Sequence, residues 1–312
     1  MSKYSWLPWL EATFAVTVWG GTFIATKLAL RELSPAAVVW LRFAIGVAVL
    51  GTVVLLRRQL RLPTRGELGY FTLLGFIGIT FHQWLQSTGL VTSQASTTAW
   101  IVATIPVFMA VLGWIFLRER LSWLQIGGIA LAGLGVLLVV SQGDLAALAT
   151  GGFGAPGDFL ILISAPNWAI FSILSRKGLQ RNPAAWMMFY VMLAGWLLSS
   201  LPWLAEAGRG ADGGWAWQGW QTVQAAWGAF DHLTWQAWLA ILILGLFGSG
   251  LAYIAWYDAL KAISAARVGV LLYIEPLVAV VVAWLVLAEP LRWAALLGGG
   301  IILVGVWIVQ RK

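Results

Sequence analysis

Residues 74–140 and 244–310 are one segment written twice. Sliding the first onto the second by 170 positions needs no gap over 67 residues and gives 16 identities. They include Gly75/Gly245, Gly78/Gly248, Pro106/Pro276, Trp114/Trp284, Glu119/Glu289, Trp123/Trp293, Gly128/Gly298 and Gly135/Gly305. A shared apolar bias would match Leu with Leu. It would not bring Pro, Glu, Trp and Gly into one register, so this is an internal duplication.

The duplicated segments are apolar almost throughout, as are the regions between them. Charge-poor stretches lie near 9–30, 35–56, 68–88, 95–116, 123–141, 158–175, 183–204, 236–257, 265–287 and 292–310. Each approaches the ~20 residues that an α-helix needs to cross a bilayer. With 61% hydrophobic and 10% charged residues the chain is too apolar for a soluble globule. The expectation is an all-α membrane protein of ten transmembrane helices. Lys and Arg set its orientation. With the N-terminus in the cytoplasm, one set of loops holds 14 of the 19 basic residues, from Lys3, Arg57 and Arg58 through Arg311 and Lys312. This bias predicts cytoplasmic termini and explains the formal charge of +7 without a nucleic-acid partner. Zero cysteine removes disulfides and thiolate metal sites.

Five helices per half is an odd number, so the second half enters the membrane upside down relative to the first. The expected plan is an N-terminal five-helix repeat at 1–141, an outer connecting loop at 142–157 and an inverted repeat at 158–312. Substrate sites in such proteins lie near the midplane, between the repeats. The first two helices of each half correspond more loosely: Trp19 stands 16 residues before Pro35-Ala36-Ala37, and Trp168 stands 15 before Pro183-Ala184-Ala185.

Polar groups within a span face protein or water, because lipid offers no partner. His82, Gln83 and Gln86 place three hydrogen-bonding side chains on one face of the third span. The reading open beside a substrate face is interhelical hydrogen bonding. Their counterparts Ala252, Tyr253 and Trp256, with Tyr257, offer an aromatic face instead. Thr97, Trp100 and Thr104 share a face of the fourth span. Asn167 and Trp168 on the sixth span and Trp19, Thr22 and Phe23 on the first complete an aromatic cavity suited to an amphipathic solute. Such a wall also attracts ammonium groups.

Two charges fall inside spans. Arg42 either binds a carboxylate or neutralises Glu275; Glu275 either binds an ammonium or carries a proton; a structural ion pair or backbone hydrogen bonds are the third possibility. Pro106 and Pro276 fall mid-span, where proline removes a hydrogen bond and bends the helix, and are expected to act as matched hinges; the alternative is a static kink that only fits the packing. Glu119 and Glu289 are expected to cap the helices that follow them. The small-residue stripes Gly128/Ala132/Gly135 and Gly298/Gly305 predict close packing of the fifth span on the tenth, or a dimer contact in a protein otherwise monomeric. Residues 205–235, with Trp215, Trp217, Trp220, Trp227 and Trp235, read as an amphipathic piece on the membrane surface.

The landmarks together resemble the ten-helix EamA-type exporters of the drug/metabolite transporter superfamily. The matching residues are Trp19-Gly20-Gly21-Thr22 with Lys27, Leu41-Arg42-Phe43, Trp168 with Arg176-Lys177, Tyr273-Ile274-Glu275-Pro276-Leu277, and Glu289 with Leu291. The resemblance implies a bacterial inner-membrane carrier that exports small metabolites, amino acids and aromatic ones among them, without a cofactor. A multidrug or quaternary-ammonium exporter is the alternative within the same class. No G-x-x-x-x-G-K-[ST] loop is present, so ATP is not the direct energy source. A membrane-embedded enzyme has little to work with: His82 and His232 are the only histidines, and no metal-ligand spacing or nucleophile–base pair is visible. A channel would need a filter sequence or a ring of like charges, and neither is visible.

Overall fold

In the computed structural model, residues 6–118, 120–144, 154–208, 219–262 and 270–311 are described. They form helices α1 (Leu7–Ala29), α2 (Pro35–Leu56), α3 (Arg65–Gly75), α4 (His82–Thr92), α5 (Ala95–Val102), α6 (Ile105–Leu117) and α7 (Trp123–Val140). The second half holds α8 (Pro156–Arg181), α9 (Ala184–Ala207), α10 (Trp220–Gly228), α11 (Trp235–Leu242), α12 (Ala252–Ala262), α13 (Ile274–Leu287) and α14 (Trp293–Gln310). No strand occurs among the described residues. Starts are written in the sequence. The hydroxyls of Ser34, Thr64, Ser122 and Thr234 each accept a hydrogen bond from a first-turn N–H, and Glu67 and Gln125 complete capping boxes.

Among the described residues, seven helical stretches are long and apolar enough to cross a membrane: Pro35–Leu56, Ala95–Phe116, Trp123–Val140, Pro156–Arg181, Ala184–Ala207, Trp235–Leu260 and Trp293–Gln310. The described parts of the other expected spans are helical with less apolar character or length. α1 carries Glu11 and Lys27 within its 23 residues, α3 and α4 run on from the charged start Arg65-Gly66-Glu67, and α13 has only 14 residues. Large apolar side chains face outward, with Phe116, Trp123 and Leu201 at 73%, 87% and 67% exposure. A soluble protein rarely shows so much apolar surface, whereas lipid requires it.

The duplication reappears as local geometry. α3 joins α4 through a π-helical turn, Phe76–Phe81, and α11 joins α12 through another, Ile243–Leu251. α6 ends at Arg118 in the left-handed region (φ 55°), and α13 ends at its counterpart Ala288 (φ 54°). Contacts also exchange between halves: α1 packs on α12 and α13, while α8 packs on α4, α5 and α6. α7 and α14 make the most extensive pair. Gly128 lies against the Gly305 carbonyl and Gly135 against that of Gly298, so these two helices run antiparallel. Equivalent glycines meet each other's partners, which is what a twofold perpendicular to both helices produces.

Two expectations about single residues change. Pro106 and Pro276 do not bend continuous helices. α5 ends at Val102 and α6 restarts at Ile105, with Pro106 at its second position, and Pro276 likewise follows the start of α13 at Ile274. Proline suits a first turn because the missing N–H would have no intrahelical partner there. Glu289 does not cap α14, which follows it. Its carboxylate accepts from Ala95 N (2.8 Å), Ser96 N (3.1 Å) and Ser96 Oγ (2.6 Å), capping α5 across the interface between halves. Glu119, Trp215, Trp217 and most of the expected connecting loop lie outside the described residues. Trp227, on α10, packs against Trp40, Trp203 and Phe230 while remaining half exposed.

Candidate functional site

The π-turn and the two helix breaks prepare one central cavity. A π-turn inserts an extra residue, re-aiming the side chains after it, here His82, Gln83 and Gln86 at the start of α4. A broken span exposes backbone and side chains on the side facing the break. The result is a cavity of about 110 Å³, against the roughly 10–15 Å³ that one water requires. Its wall joins Trp19, Thr22, Phe23, Arg42, His82, Gln83 and Gln86 to Val102, Ala103, Ile105 and Pro106. From the other half come Trp168, Tyr253, Leu272, Tyr273 and Glu275.

Ten of these residues are equivalent pairs: Trp19/Trp168, Gln83/Tyr253, Val102/Leu272, Ala103/Tyr273 and Ile105/Glu275. The cavity therefore sits where the two copies of the segment face each other. Positions four, three and one before each proline supply three of the pairs. That pattern could have pointed to Val102, Ala103, Leu272 and Tyr273, which spacing arguments overlooked.

Charge breaks the symmetry. Arg42, 5% exposed, donates from Nε to Ser249 Oγ (3.1 Å) and from Nη1 to Gln83 Oε1 (3.1 Å). Both acceptors are neutral. Glu275 forms no ion pair or side-chain hydrogen bond among the described residues, so Arg42 does not neutralise it. The backbone at Glu275 is held by close approach of α1: a Cβ on Gly20 would lie 2.6 Å from the Glu275 carbonyl oxygen. His82 packs its ring on Trp168 (4.7 Å between centroids), and its buried Nδ1 has no hydrogen-bond partner among the described residues. Trp19 donates through Nε1 to the Gly248 carbonyl (3.2 Å) and packs on Tyr253 (5.6 Å).

Six expected residues lie elsewhere. Thr97 is buried on α5 and is not part of the cavity wall. Trp100 is 2% exposed and covers Gly299 of α14, where a Cβ would fall 2.4 Å from the indole. Thr104 turns its hydroxyl to the Ile101 carbonyl (2.6 Å) at the helix break. Asn167 donates to the Ile77 carbonyl in the first π-turn (2.8 Å). Trp256 stands behind Trp19, at 5.3 Å. Tyr257 faces a smaller pocket bounded by Arg57 and Asp258, with Tyr253 as the wall shared with the central cavity. Pro276 is buried and is not part of the cavity wall. Among the described residues no three His, Cys, Asp or Glu side chains group as metal ligands would.

The two ends of the bundle are tied differently. At one end Glu289 caps α5, Lys27 Nζ donates to the Ser93 carbonyl, and Thr92 Oγ1 accepts from Gly157 N (2.8 Å). At the other, Arg57 and Asp258 pair at 2.6 Å, both partly exposed.

A bundle of lipid-facing helices around an internal polar and charged cavity is the build of a multi-pass membrane transporter. This chain belongs to the EamA-like transporter family, whose model matches residues 8–141 and 155–311. An uncharacterized transporter of Archaeoglobus fulgidus is 27% identical over 304 residues, covering 97% of this chain and 99% of the relative. A probable terminal-alkyne amino-acid exporter of Streptantibioticus cattleyicolor is 27% identical over 321 residues, covering 100% and 95%. A crystal structure at 22% identity superposes with a TM-score of 0.62 over 96% of this chain and 94% of that one, which shows a common fold.

Proposed function

We propose that this transporter is a secondary carrier that exports small metabolites, amino acids and aromatic amino acids foremost, by alternating access at the central cavity. On this reading the chain makes ten spans as two five-helix repeats of opposite orientation, 1–141 and 158–312, joined by 142–157 outside the cell. Both termini are cytoplasmic and the membrane is a bacterial inner membrane. The antiparallel α7–α14 seam and the exchanged contacts between halves support the inversion. The breaks before Pro106 and Pro276 are the hinges, where few hydrogen bonds must change for half-helices to tilt.

The observation that carries the reading is the composition of one cavity: aromatic faces from Trp19, Trp168 and Tyr253 together with a guanidinium and a carboxylate. That mixture suits an amphipathic solute carrying polar ends. A relative named for amino-acid export points the same way. A quaternary-ammonium substrate would use the aromatic wall and Glu275, but Arg42 in the same cavity disfavours a pure cation. Counterflow in proteoliposomes separates the readings. Unlabelled amino acid inside should accelerate uptake of labelled amino acid, while quaternary ammonium compounds and sugars should not. Acceleration by the ammonium compounds alone would overturn the amino-acid reading.

A further inference from the structure

Arg42 and Glu275 are a buried cation and an anion that line one cavity without forming an ion pair with each other. Within the protein a charge removed from water is costly unless an opposite charge or a full set of hydrogen bonds replaces its hydration. Among the described residues Arg42 donates to the neutral oxygens of Ser249 and Gln83 and lies 5.1 Å from the centre of the Phe43 ring. The described residues place no carboxylate within 4.0 Å of it. Among the described residues Glu275 meets neither a cation within 4.0 Å nor a side-chain hydrogen-bond donor. The two come from different elements, α2 and α13, and their counterparts in the other half, Tyr190 and Ile105, are uncharged. The duplication thus leaves one positive and one negative residue in the lining of a cavity whose remaining wall is aromatic or neutral.

We infer that Arg42 and Glu275 select zwitterions by holding the two ends of the substrate: the carboxylate at Arg42 beside Gln83, the ammonium at Glu275. This rests on the amino-acid reading above and adds the orientation and the basis of selectivity. An amine would satisfy Glu275 and leave Arg42 uncompensated; an acid would do the reverse. Only a solute carrying both charges compensates both. With its ends so held, the side chain of the substrate lies along Trp19, Trp168 and Tyr253, and Gln86 and His82 line the wall on the Gln83 side. Gln83 is then a positioning residue as well, since its Oε1 fixes the guanidinium.

Three probes with one side chain test this: phenylalanine, phenethylamine and 3-phenylpropionate, each as competitor of labelled phenylalanine counterflow. Wild-type protein should prefer phenylalanine over either single-charge analogue by at least tenfold. Glu275→Gln, nearly isosteric, should bring phenylpropionate within about threefold of phenylalanine while phenethylamine stays excluded. Arg42→Gln should do the converse. Because Arg42 also holds Ser249 and Gln83, each variant is checked for an unchanged melting temperature, and Gln83→Leu provides a second probe of the carboxylate end. Unchanged discrimination in a folded Glu275→Gln protein that still carries phenylalanine would overturn this inference and leave the amino-acid reading standing. Absence of amino-acid counterflow in wild-type protein would overturn both.

Discussion

Glycines on α7 separate into two groups by what lies over them, and alanine should tell them apart. A Cβ on Gly135 would stand 2.7 Å from the Gly298 carbonyl oxygen and 2.9 Å from Ile302 N, both backbone atoms of α14. Ordinary contact at such atoms begins near 3.4 Å, so the helices must separate by about 0.5–0.7 Å along their most extensive seam. Overpacking of this kind costs about 1–3 kcal/mol. Alanine's helix propensity returns only ~1 kcal/mol of that. A Cβ on Gly133, two residues away, meets nothing within 4 Å. Gly133→Ala should therefore be neutral or stabilise by about 0.5–1 kcal/mol. Because the seam is self-complementary, Gly298→Ala, whose Cβ would lie 2.8 Å from the Gly135 carbonyl oxygen, should cost as much as Gly135→Ala. Gly300→Ala should match Gly133→Ala. Reversible unfolding of the purified protein in mixed micelles measures the four values. Equal effects at Gly133 and Gly135, or different signs at Gly135 and Gly298, would refute the antiparallel glycine seam.

Further outcomes follow from the same geometry. Glu289→Gln keeps one acceptor for three donors of α5, so it should weaken that tie by about 1–3 kcal/mol. Labelling of a Thr97→Cys thiol, buried beneath it, should then accelerate about tenfold or more; an unchanged rate would remove Glu289 from the closure. The Arg57–Asp258 pair is partly exposed, and such pairs contribute roughly 0.2–1 kcal/mol, so Asp258→Asn should shift stability by less than 1 kcal/mol in a titration of the unfolding transition. Trp168→Phe should change substrate affinity, whereas Trp100→Phe should alter stability alone, because Trp100 packs on α14 away from the cavity. Equal affinity changes in competition counterflow would contradict that placement.

The duplication and the helical spans were legible because glycine, proline and glutamate in one register carry more information than apolar residues do. The same register, applied to Glu275, leads directly to Ile105, its partner on the cavity wall. Arg42, Glu275, His82, Gln83 and Gln86 could be placed because an intramembrane polar group has few places to go. Which side an aromatic or small polar residue faces was less legible. Trp100 lies on α14 because Gly299 leaves a slot there, a fact visible only once the helices are packed. Asn167 and Thr104 are taken up by carbonyls at the π-turn and the helix break, irregularities that no spacing in the sequence announces. Glu289 misled for a related reason: its nearest helix start in sequence is α14, but its nearest free N–H groups in space belong to α5.

Alternating access requires the end closed by Glu289 to open during each cycle. Ser96 and Leu291 come from opposite halves and line the same small pocket at that end. Cysteines placed at both and joined by a short, cleavable bifunctional reagent should abolish counterflow, with recovery on cleavage. Full crosslinking with undiminished counterflow would contradict the carrier mechanism.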